Sequence, residues 1–569
     1  MNKLKKLRKL VKNYKLDGYI VPKNDEYFNE YVNHSSDRLK FISNFSGSAG
    51  FAIILQSKNY LFVDGRYTIQ ARIQSGRNFK IVTMPQKFPR DIIKTKKKIK
   101  IGFDPKLHNE KQLYNLFNIK NIILKPSHAN LVDMIWVKKP KNLAKPFYGL
   151  SKRNAGESSQ KKITKVKNIL VKNKADYLLV TAPENVAWIL NIRGHDSAFS
   201  PIPNARLLIN RNGDIDLFSQ VEKIVKIKKN FSGKIKFYDE DTMEKKLKKL
   251  WNSNIWLDVF SCSLYYKNLL KNKNKIIEKT DPIYFLKSIK NPTEIKNMKK
   301  SHMIDGVALT KFLFWLKKNF GKKKITEISA QEKLEYFRKM NKSYKFPSFS
   351  TISGSGPNSA IIHYKASIKS NRTLKRGDLY LVDSGGQYSF GTTDVTRTIS
   401  LNNNSKFIKE IYTRVLKGHI AVSDYKIKKN SNGSNVDQNA RRSLKQAKMD
   451  YPHGTGHGVG YFLNVHEGPQ SLSKNNMVNL KPGMIVSNEP GYYKEGSFGI
   501  RIENLVYIKK NKFEELTMAP IEKNLIKKKM LNKKEISWLN KYHAKVKNKL
   551  FRFMSSEEKN NLIDACSPI

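Results

Sequence analysis

The apolar positions of the chain predict two units that repeat one pattern. The segment LVKNYKLDGYIVP at 10–22 resembles LVKNKADYLLVTAP at 170–183, and the similar pair FISNFSG at 41–47 and WILNIRG at 188–194 follows. In each copy a helix leads into a short apolar strand. The copies are too far apart for a solenoid repeat, so the pattern indicates two tandem α/β domains of one design.

Short apolar runs predict the other strands of these units. FAIIL, LFVDGRY and IKIGFD belong to the first unit, and RLLINRNGDIDLF in the second is typical of a hairpin with Asn-Gly-Asp at its turn. Between them, KKPKNLAKPFYGLSKRNAGESS is rich in Lys, Pro, Gly and Ser, as a linker is. We therefore expect one domain over 1–155 and a second over 156–290.

A third, larger domain is predicted to begin at Asn291-Pro292, which starts a long helix. One face of this helix carries four apolar residues at helical spacing, namely Leu309, Phe312, Leu313 and Leu316. From about 345 the chain alternates in the manner of strands, in DLYLVDSGGQY, TTDVTRTISL, MIVSNEPGYY and RIENLVYIKK, with helices predicted at 405–422 and 437–448. This pattern predicts an α+β domain over 291–515.

The composition is that of a folded protein of several domains. The chain has 569 residues, of which 39% are hydrophobic, and no apolar run approaches the ~20 residues of a membrane helix. Its opening, MNKLKKLRKLVKNYK, places Leu4, Leu7, Leu10, Val11 and Tyr14 at helical spacing, so we expect an amphipathic helix and not a signal peptide. The two cysteines are too few for a disulfide framework, which indicates the cytoplasm.

The formal net charge of +61 raises nucleic acid as a partner, because 108 basic residues face 47 acidic ones. The excess is mainly lysine, spread over the whole length in short groups such as KTKKKIKI and IKKKMLNKK. Such a spread is typical of solvated faces. We therefore expect nucleic acid not to be the main partner, despite the charge.

Four acidic residues lie at predicted strands of the third domain. They are Asp383 after LYLV, Asp394 on the next strand candidate, Glu489 after MIVSN and Glu503 before NLVYI. Burying a charged carboxylate costs on the order of several kcal/mol of folding free energy unless a cation or a hydrogen-bond donor compensates it. Any one of them alone is also consistent with an ordinary strand-end acid. As a set, in a chain so short of acids, they favour a pair of divalent metal ions.

Histidines accompany these acids in YPHGTGHGVG at 451–460. The stretch lacks the G-x-G-x-x-G spacing of a dinucleotide loop, the Lys-Ser/Thr of a P-loop and the Glu of the H-E-x-x-H helix. We interpret it as a glycine-built backbone that comes close to a substrate and presents His453 and His457 in different directions. His457 is the natural nitrogen ligand of a metal site, and His363 and His466 complete the polar set.

Together, DSGGQYSFGTTDVTRT, HGTGHGVG, SNEPGYY and GIRIEN resemble the dinuclear site of the pita-bread metallopeptidases. FSGSAG, DGRY, TAPENVAWILNIRG and SWLNKYH extend the resemblance over nearly the whole chain, to the aminopeptidase P (Xaa-Pro aminopeptidase) family. The resemblance implies an α+β fold: a C-terminal pita-bread (creatinase/aminopeptidase) catalytic domain, preceded by two related α/β domains and followed over 516–569 by the extension of this family. It also implies a cytoplasmic homodimer.

The resemblance implies that each subunit binds two divalent metal ions. Asp383 would bind one metal, His457 and Glu489 the other, and Asp394 and Glu503 would bridge both. Manganese is the usual family metal, and zinc, cobalt and iron are the alternatives. The activity implied is hydrolysis of the N-terminal Xaa-Pro bond of peptides with proline in second position. A hydroxide between the metals would attack, with Glu489 transferring its proton.

Substrate roles also follow from the resemblance. His466 would stabilise the oxyanion together with a metal, and His363 would contact the substrate backbone, so both join Glu489 as catalytic residues. His453 would line the proline side, and His457 would also border the bound peptide.

Two arginines complete the implied substrate site. Arg66 of DGRY would reach the peptide from the first domain, so that the N-terminal domains limit the length of substrate. Arg501, two residues before Glu503, would either neutralise the carboxylate cluster or anchor it.

Three other functions compete with this interpretation. A prolidase, which cleaves Xaa-Pro dipeptides, uses the same ligands, but the duplicated N-terminal domains and SWLNKYH favour the aminopeptidase. A creatinase-like hydrolase shares the fold and would not be expected to retain all five ligands. A catalytically inactive pita-bread module that binds histone or nucleic acid would typically have lost them.

Overall fold

The computed structural model describes residues 3–229, 231, 234–402 and 404–569. These form two compact units, one of Met1–Lys152 and Glu157–Tyr284 and one of Arg153–Gly156 and Phe285–Ile569. The finer division at 155, 290 and 515 remains a prediction.

The first unit contains two six-stranded mixed sheets. Across the first sheet the strands are Lys80–Met84, Asn59–Asp64, Phe51–Leu55, Gly18–Pro22, Ile99–Phe103 and Ile122–Pro126. Across the second they are Ile235–Tyr238, Ile215–Phe218, Arg206–Asn210, Tyr177–Val180, Asn254–Leu257 and Lys275–Glu278. A short ribbon pairs Tyr148–Gly149 with Ile192–Arg193.

The two sheets have the same topology. In each, the first strand along the chain is central. It pairs antiparallel with the second strand and parallel with a later strand. The two strands at each outer side of the sheet pair parallel with each other. The hairpin predicted in the second copy joins Arg206–Asn210 to Ile215–Phe218. The prediction of two related α/β domains is confirmed.

Helices pack against these sheets through their apolar stripes. The α-helices of this unit are Lys3–Asn13, Arg38–Ser43, Thr68–Ser75, Pro89–Ile92, Glu110–Phe117, Leu131–Ile135, Ser159–Lys172, Pro183–Leu190, Val221–Lys228, Met243–Lys248 and Leu264–Leu270, with a 3₁₀ turn at Glu240–Thr242. Two short helices, Lys152–Ala155 and Pro282–Ser288, lie where the chain passes between the units. The first helix buries Leu4, Leu7 and Val11 as predicted. Tyr14 lies beyond its end and is exposed, because the helix stops at Asn13.

The second unit contains three sheets and a two-stranded ribbon. Its sheets are Tyr344–Pro347, Gly386–Tyr388 and Gly391–Thr392; Ile352–Ser355, Leu379–Ser384 and Val395–Ser400; Glu467–Leu472, Gly456–Gly458, Ile485–Asn488, Asn504–Lys509 and Lys512–Glu515; and the ribbon Gly491–Lys494 with Phe498–Arg501. Every strand candidate named from the sequence of this region contains one or more of these strands.

Six long helices surround these strands: Pro292–Asn319, Glu327–Lys339, Lys406–Ser423, Gly433–Lys445, Lys533–Leu550 and Ser556–Ala565, with 3₁₀ turns at Gly356–Ala360, Lys523–Leu525, Lys528–Met530 and Phe551–Phe553. The first begins at Pro292, as predicted, and a capping box of Asn291 and Glu294, which was not predicted from the sequence, stabilises its start. The helix predicted at 437–448 begins earlier, at Gly433, because Asn432 caps it.

The C-terminal extension packs on the helices and strands of this unit. Leu539, Tyr542 and Val546 belong to the same buried cluster as Leu416 and Ile500. The Tyr542 hydroxyl also meets the guanidinium of the buried Arg397 at 3.0 Å. Over the described ranges, none of the helices has both the length and the apolar character that crossing a bilayer requires.

Candidate metal centre

Strand ends position the four acidic residues. Asp383 is the next-to-last residue of Leu379–Ser384, Asp394 directly precedes Val395–Ser400, Glu489 directly follows Ile485–Asn488, and Glu503 directly precedes Asn504–Lys509. Asp383 and Thr396 are partners across one pair of strands, and Asn488 and Asn504 are partners across another. Strand pairing therefore places the acids side by side.

His457, in the strand Gly456–Gly458, lies against these acids. Its Nε2 is 3.4 Å from Oδ2 of Asp394 and 3.5 Å from Oε1 of Glu489. Ligand atoms of Asp394, His457 and Glu503 all lie within 4.8 Å of one another. The structure therefore brings together an imidazole and three of the four predicted carboxylates in direct contact range.

The fourth acid, Asp383, is held from the other side by Arg501. The guanidinium Nη2 of Arg501 donates to Oδ2 of Asp383 at 2.7 Å, and the Asp383 carboxylate is close enough to Asp394 and Glu503 to raise the pKa of each. Oδ1 of Asp383 is buried and has no hydrogen-bond partner among the described residues. A buried carboxylate oxygen without a donor, in a carboxylate that lies near other acids, fits a cation site.

The carboxylates of this cluster disfavour one another's charge. Burial, with the negative charges of Asp383 and Glu489, raises the pKa of Asp394 to about 6, although His457 acts against the rise. Burial also raises the pKa of Glu503 well above its ordinary value, and Asp394, Glu489 and Asp383 add to the rise. A cation among these oxygens would remove both penalties.

His457 is oriented as a ligand. Burial lowers its pKa, but hydrogen bonding to Asp394 and the charges of Glu489 and Asp394 outweigh burial and raise the pKa to about 9. Nδ1 of the ring lies 2.9 Å from the carbonyl oxygen of Gly458, so that Nδ1–H donates there and Nε2 faces the acids. This backbone contact fixes the tautomer that metal-binding histidines use. The oxygen-rich donor set with one imidazole fits hard divalent cations.

The two remaining histidines of the glycine-rich region have different contacts. The His466 ring is perpendicular to that of His457, with centroids 4.3 Å apart. Nδ1 of His453 is 2.8 Å from the carbonyl oxygen of Gly454, and its Nε2 is 2.9 Å from the hydroxyl of Tyr493. Arg501 donates to the same hydroxyl at 2.6 Å, so Tyr493 links His453 to Arg501.

The last two predicted substrate residues have different surroundings. His363 follows the turn Gly356–Ala360 and is half-buried, and the carbonyl oxygen of its neighbour Ile362 lies 3.5 Å from Nη2 of Arg501. Arg66 belongs to the first unit, where Nε and Nη2 form a two-pronged pair with Asp64 at 2.9 and 2.7 Å. The substrate role of Arg66 remains a prediction.

Three polar residues that the sequence reasoning missed support the acids. Thr396 Oγ1 donates to Glu503 at 2.7 Å, and Ser487 Oγ donates to Glu489 at 3.0 Å while accepting from the backbone N–H of His457 at 2.9 Å. The third, Tyr493, acts indirectly, because its hydroxyl accepts from Arg501, which donates to Asp383. Thr396 and Ser487 each stand two positions from an acid, so the period-two rule for a strand would have found them on the same face.

The glycines of this region accommodate the protein's own backbone. A Cβ on Gly456 would lie 1.9 Å from the carbonyl oxygen of Ser487, and one on Gly458 would lie 2.1 Å from that of Glu467. The expectation that these glycines admit the substrate is thus corrected at both positions, because neighbouring strands already fill the space. At Gly454 the nearest atom would be 3.3 Å away.

Gly456→Ala is expected to lower activity by on the order of 100-fold, because the clash must shift the strand that carries His457. It should also destabilise the protein by about 1–3 kcal/mol. Gly454→Ala is the matched control, since its Cβ would approach no other atom more closely than the Cβ of Ser473 at 3.3 Å. Steady-state kinetics and thermal unfolding of both variants test this, and equal effects of the two substitutions would contradict it.

Four family models together match most of the chain. Residues 296–510 match Metallopeptidase family M24 and residues 510–569 match the C-terminal region of peptidase M24. Residues 3–126 and 138–294 match two models of the Creatinase/Prolidase N-terminal domain.

Individual proteins agree with these models. The chain is 36% identical to a probable Xaa-Pro aminopeptidase P of Coprinopsis cinerea, over 97% of this chain and 95% of the relative. It superimposes on an X-prolyl aminopeptidase of Caenorhabditis elegans, described as a cytosolic enzyme with a dinuclear active site, with a TM-score of 0.93, at 30% identity, over 100% of this chain and 99% of that one.

A prolidase of Pyrococcus horikoshii is similar over a smaller part. It gives a TM-score of 0.53 at 27% identity and covers 64% of this chain and 99% of its own. Of these three proteins, the two that match nearly the full chain are thus an Xaa-Pro and an X-prolyl aminopeptidase, which confirms the resemblance seen in the sequence. The chain belongs to metallopeptidase family M24, on its Xaa-Pro aminopeptidase branch.

Proposed function

We propose that this protein is a metallo-aminopeptidase that hydrolyses the N-terminal Xaa-Pro bond of peptides with proline in second position. The observation that carries the proposal is the cluster of Asp394, His457 and Glu503, whose ligand atoms lie within 4.8 Å of one another. It is supported by the aminopeptidases that match the chain over nearly its full length.

The proposed cofactor is a pair of divalent metal ions held by five residues: Asp383, Asp394, His457, Glu489 and Glu503. The dinuclear site of the relative from Caenorhabditis elegans and the oxygen-rich donor set support two ions. We propose manganese, with zinc, cobalt and iron as alternatives. When bound, the metals would polarise the scissile carbonyl and make water acidic enough to serve as a nucleophile near neutral pH.

The chain's own residues would then orient the substrate and move protons. Glu489 is held by Ser487 at one oxygen, 3.0 Å away, which suits a carboxylate that accepts and returns a proton. His466 lies beside His457 and is proposed to donate to the developing oxyanion. His453, held by its contacts with Gly454 and Tyr493, is proposed to offer a flat wall for a proline ring.

The remaining parts of the proposal concern location and partners. We propose a cytoplasmic enzyme that acts on peptides, as its relative from Caenorhabditis elegans is cytosolic and both cysteines are free and buried. We also propose a homodimer, contact of His363 with the substrate backbone, and contact of Arg66 with longer peptides. Each of these remains a prediction.

With Mn²⁺ present, an Xaa-Pro-Pro tripeptide is expected to be cleaved between its first two residues. Replacing the second-position proline by alanine should lower kcat/KM by on the order of 100-fold or more, since the pocket must be shaped for a proline ring. Chromatography of products from both tripeptides and from an Xaa-Pro dipeptide measures this. Preference for the dipeptide would identify a prolidase, and no cleavage of any of the three would favour a binding module.

A further inference from the structure

Three charged side chains form a buried cluster next to His466. The carboxylate of Glu467 contacts the Nζ of Lys287, 3.2 Å from Oε2, and the Nζ of Lys290, which lies against Oε1. All three side chains are at most 2% exposed. We refer to them as the lysine–glutamate cluster.

A gain in folding stability does not by itself explain why this cluster is buried. Removing three ions from water costs a large desolvation energy, and well-packed apolar side chains of similar volume often serve stability as well or better. A buried ion pair does, however, fix the place of its members, because any shift leaves a charge without its partner. The question is therefore which part of the molecule the cluster fixes.

Glu467 is the point at which the loop that carries His466 returns to its sheet. The loop leaves the sheet after Gly458, and Gly458 and Glu467 are register partners. His457 directly precedes Gly458 and His466 directly precedes Glu467, and their rings meet with centroids 4.3 Å apart. The position of Glu467 therefore decides how the His466 ring meets the metal-binding histidine.

The two lysines belong to a segment that is tied to the strand leading to Glu489. The backbone N–H of Lys290 donates to the carbonyl of Gly483 at 2.9 Å, and Ile289 forms a bridge with Met484. The strand Ile485–Asn488 follows directly. The lysine–glutamate cluster thus ties the His466 loop to the strand Ile485–Asn488, which leads to Glu489, the proposed proton carrier.

The other contacts that hold this loop lie further along the chain from His466. The side chain of Gln387 donates to the carbonyl of Leu463 at 2.7 Å, and the hydroxyl of Tyr461 donates to the carbonyl of Asn154 at 2.7 Å. Phe462 between them has a φ of 46°, a conformation that costs energy for a non-glycine residue. These contacts shape the far end of the loop, and the cluster holds the end that carries the histidine.

We propose that Lys287 and Lys290, acting through Glu467, are positioning residues that hold His466 against His457. This inference rests on the proposed peptidase function, in which His466 contacts the reacting group. The substitutions Lys290→Met and Lys287→Met each remove one ammonium group and keep a side chain of similar length. In each variant the remaining lysine and Glu467 form a pair without net charge. The matched control is Lys417→Met, whose ammonium pairs with Glu535 at 2.6 Å on helices of the same unit.

Lys290→Met is expected to lower kcat by on the order of 100-fold, because His466 is misplaced in the transition state. KM, bound metal and the thermal midpoint should stay close to those of Lys417→Met, which should keep the parent kcat. In a His466→Ala background, Lys290→Met should cause no further loss of kcat. A parent-like kcat in Lys290→Met would overturn the proposal. So would a double variant whose loss of kcat is the product of the losses in Lys290→Met and His466→Ala.

A second measurement does not depend on activity. Deuterium exchange at C2 of each histidine, followed by mass spectrometry, should show slow exchange at His466 in the parent and in Lys290→Arg. Faster exchange is expected in Lys290→Met, with His302 unchanged. If the parent cleaves no peptide, the proposed function fails while this readout still decides the inference, and parent-like exchange at His466 would overturn it. If Lys290→Met does not fold, Lys287→Met is measured in the same way, with the same two outcomes.

Discussion

Glu503→Gln is expected to abolish peptidase activity, with a loss of about a thousandfold or more, while the fold survives. The substitution removes a negative charge from the oxygens that would hold the metals, so metal binding and activation of water should fail together. The metal-free protein should be no less stable than the metal-free parent, because Glu503 is 2% exposed and is repelled by Asp394, Glu489 and Asp383. Peptide hydrolysis, metal analysis and thermal unfolding measure the three effects.

Glu327→Gln is the matched control, because Glu327 is also fully buried in the second unit but is surrounded by donors. It accepts hydrogen bonds from the backbone of Ser355 at 2.7 Å and of Arg372 at 2.9 Å, and from the hydroxyl of Tyr364 at 2.8 Å. Its neutralisation should cost about 2 kcal/mol of stability and leave activity per folded molecule unchanged. An active, metal-loaded Glu503→Gln, or one destabilised as much as Glu327→Gln, would contradict the assignment.

The contrast between these two glutamates shows what the sequence can and cannot reveal. Strand patterns around Asp383 and Glu503 were sufficient to predict apolar strands with acids at their ends, and the structure has them there. Whether a buried acid is surrounded by donors, as Glu327 is, or by other acids depends on strands far apart in the chain. Spacing along the sequence does not contain that information, and the family resemblance supplied it.

The lysines show a different limit. In a chain with 108 basic residues, nothing in LKSIKNP distinguishes Lys287 and Lys290 from the many that face solvent. Their burial follows from contacts with Glu467, which lies far along the chain. The same holds for Arg501, whose partners Asp383 and Tyr493 come from other strands. Long-range pairing of charges is thus the part of the site that local pattern leaves undetermined.

The two glycines next to His457 show a third limit. The spacing of HGTGHGVG excluded a phosphate loop and a zincin helix, and it indicated a backbone that needs close approach. It did not indicate what approaches. The structure places the carbonyls of Ser487 and Glu467 there, because the strand Gly456–Gly458 lies between two other strands of its sheet.

Arg501→Met is expected to destabilise the metal-free protein by about 3–5 kcal/mol. Arg501 is 1% exposed and donates to Asp383 at 2.7 Å, so its removal leaves that carboxylate buried without its cation and beside three other acids. Arg501→Lys should recover only part of the loss, since an ammonium cannot reach Asp383, Tyr493 and Thr396 as the guanidinium does. Chemical denaturation of the three proteins after chelation measures the difference.

Adding Mn²⁺ separates the two roles that the sequence left open for Arg501. If the arginine neutralises the cluster, a divalent ion can replace its charge, and the gain in stability on adding metal should be larger in Arg501→Met than in the parent. Arg338→Met is the matched control, because this arginine is equally buried and pairs with Asp305 at 2.8 Å. Adding metal should raise the stability of Arg338→Met by no more than it raises the stability of the parent. Equal gains in the two variants would mean that Arg501 anchors strands and does not balance charge. The larger gain in Arg501→Met is expected, because Oδ1 of Asp383 is already without a hydrogen-bond partner among the described residues and Oδ2 would join it in facing a cation.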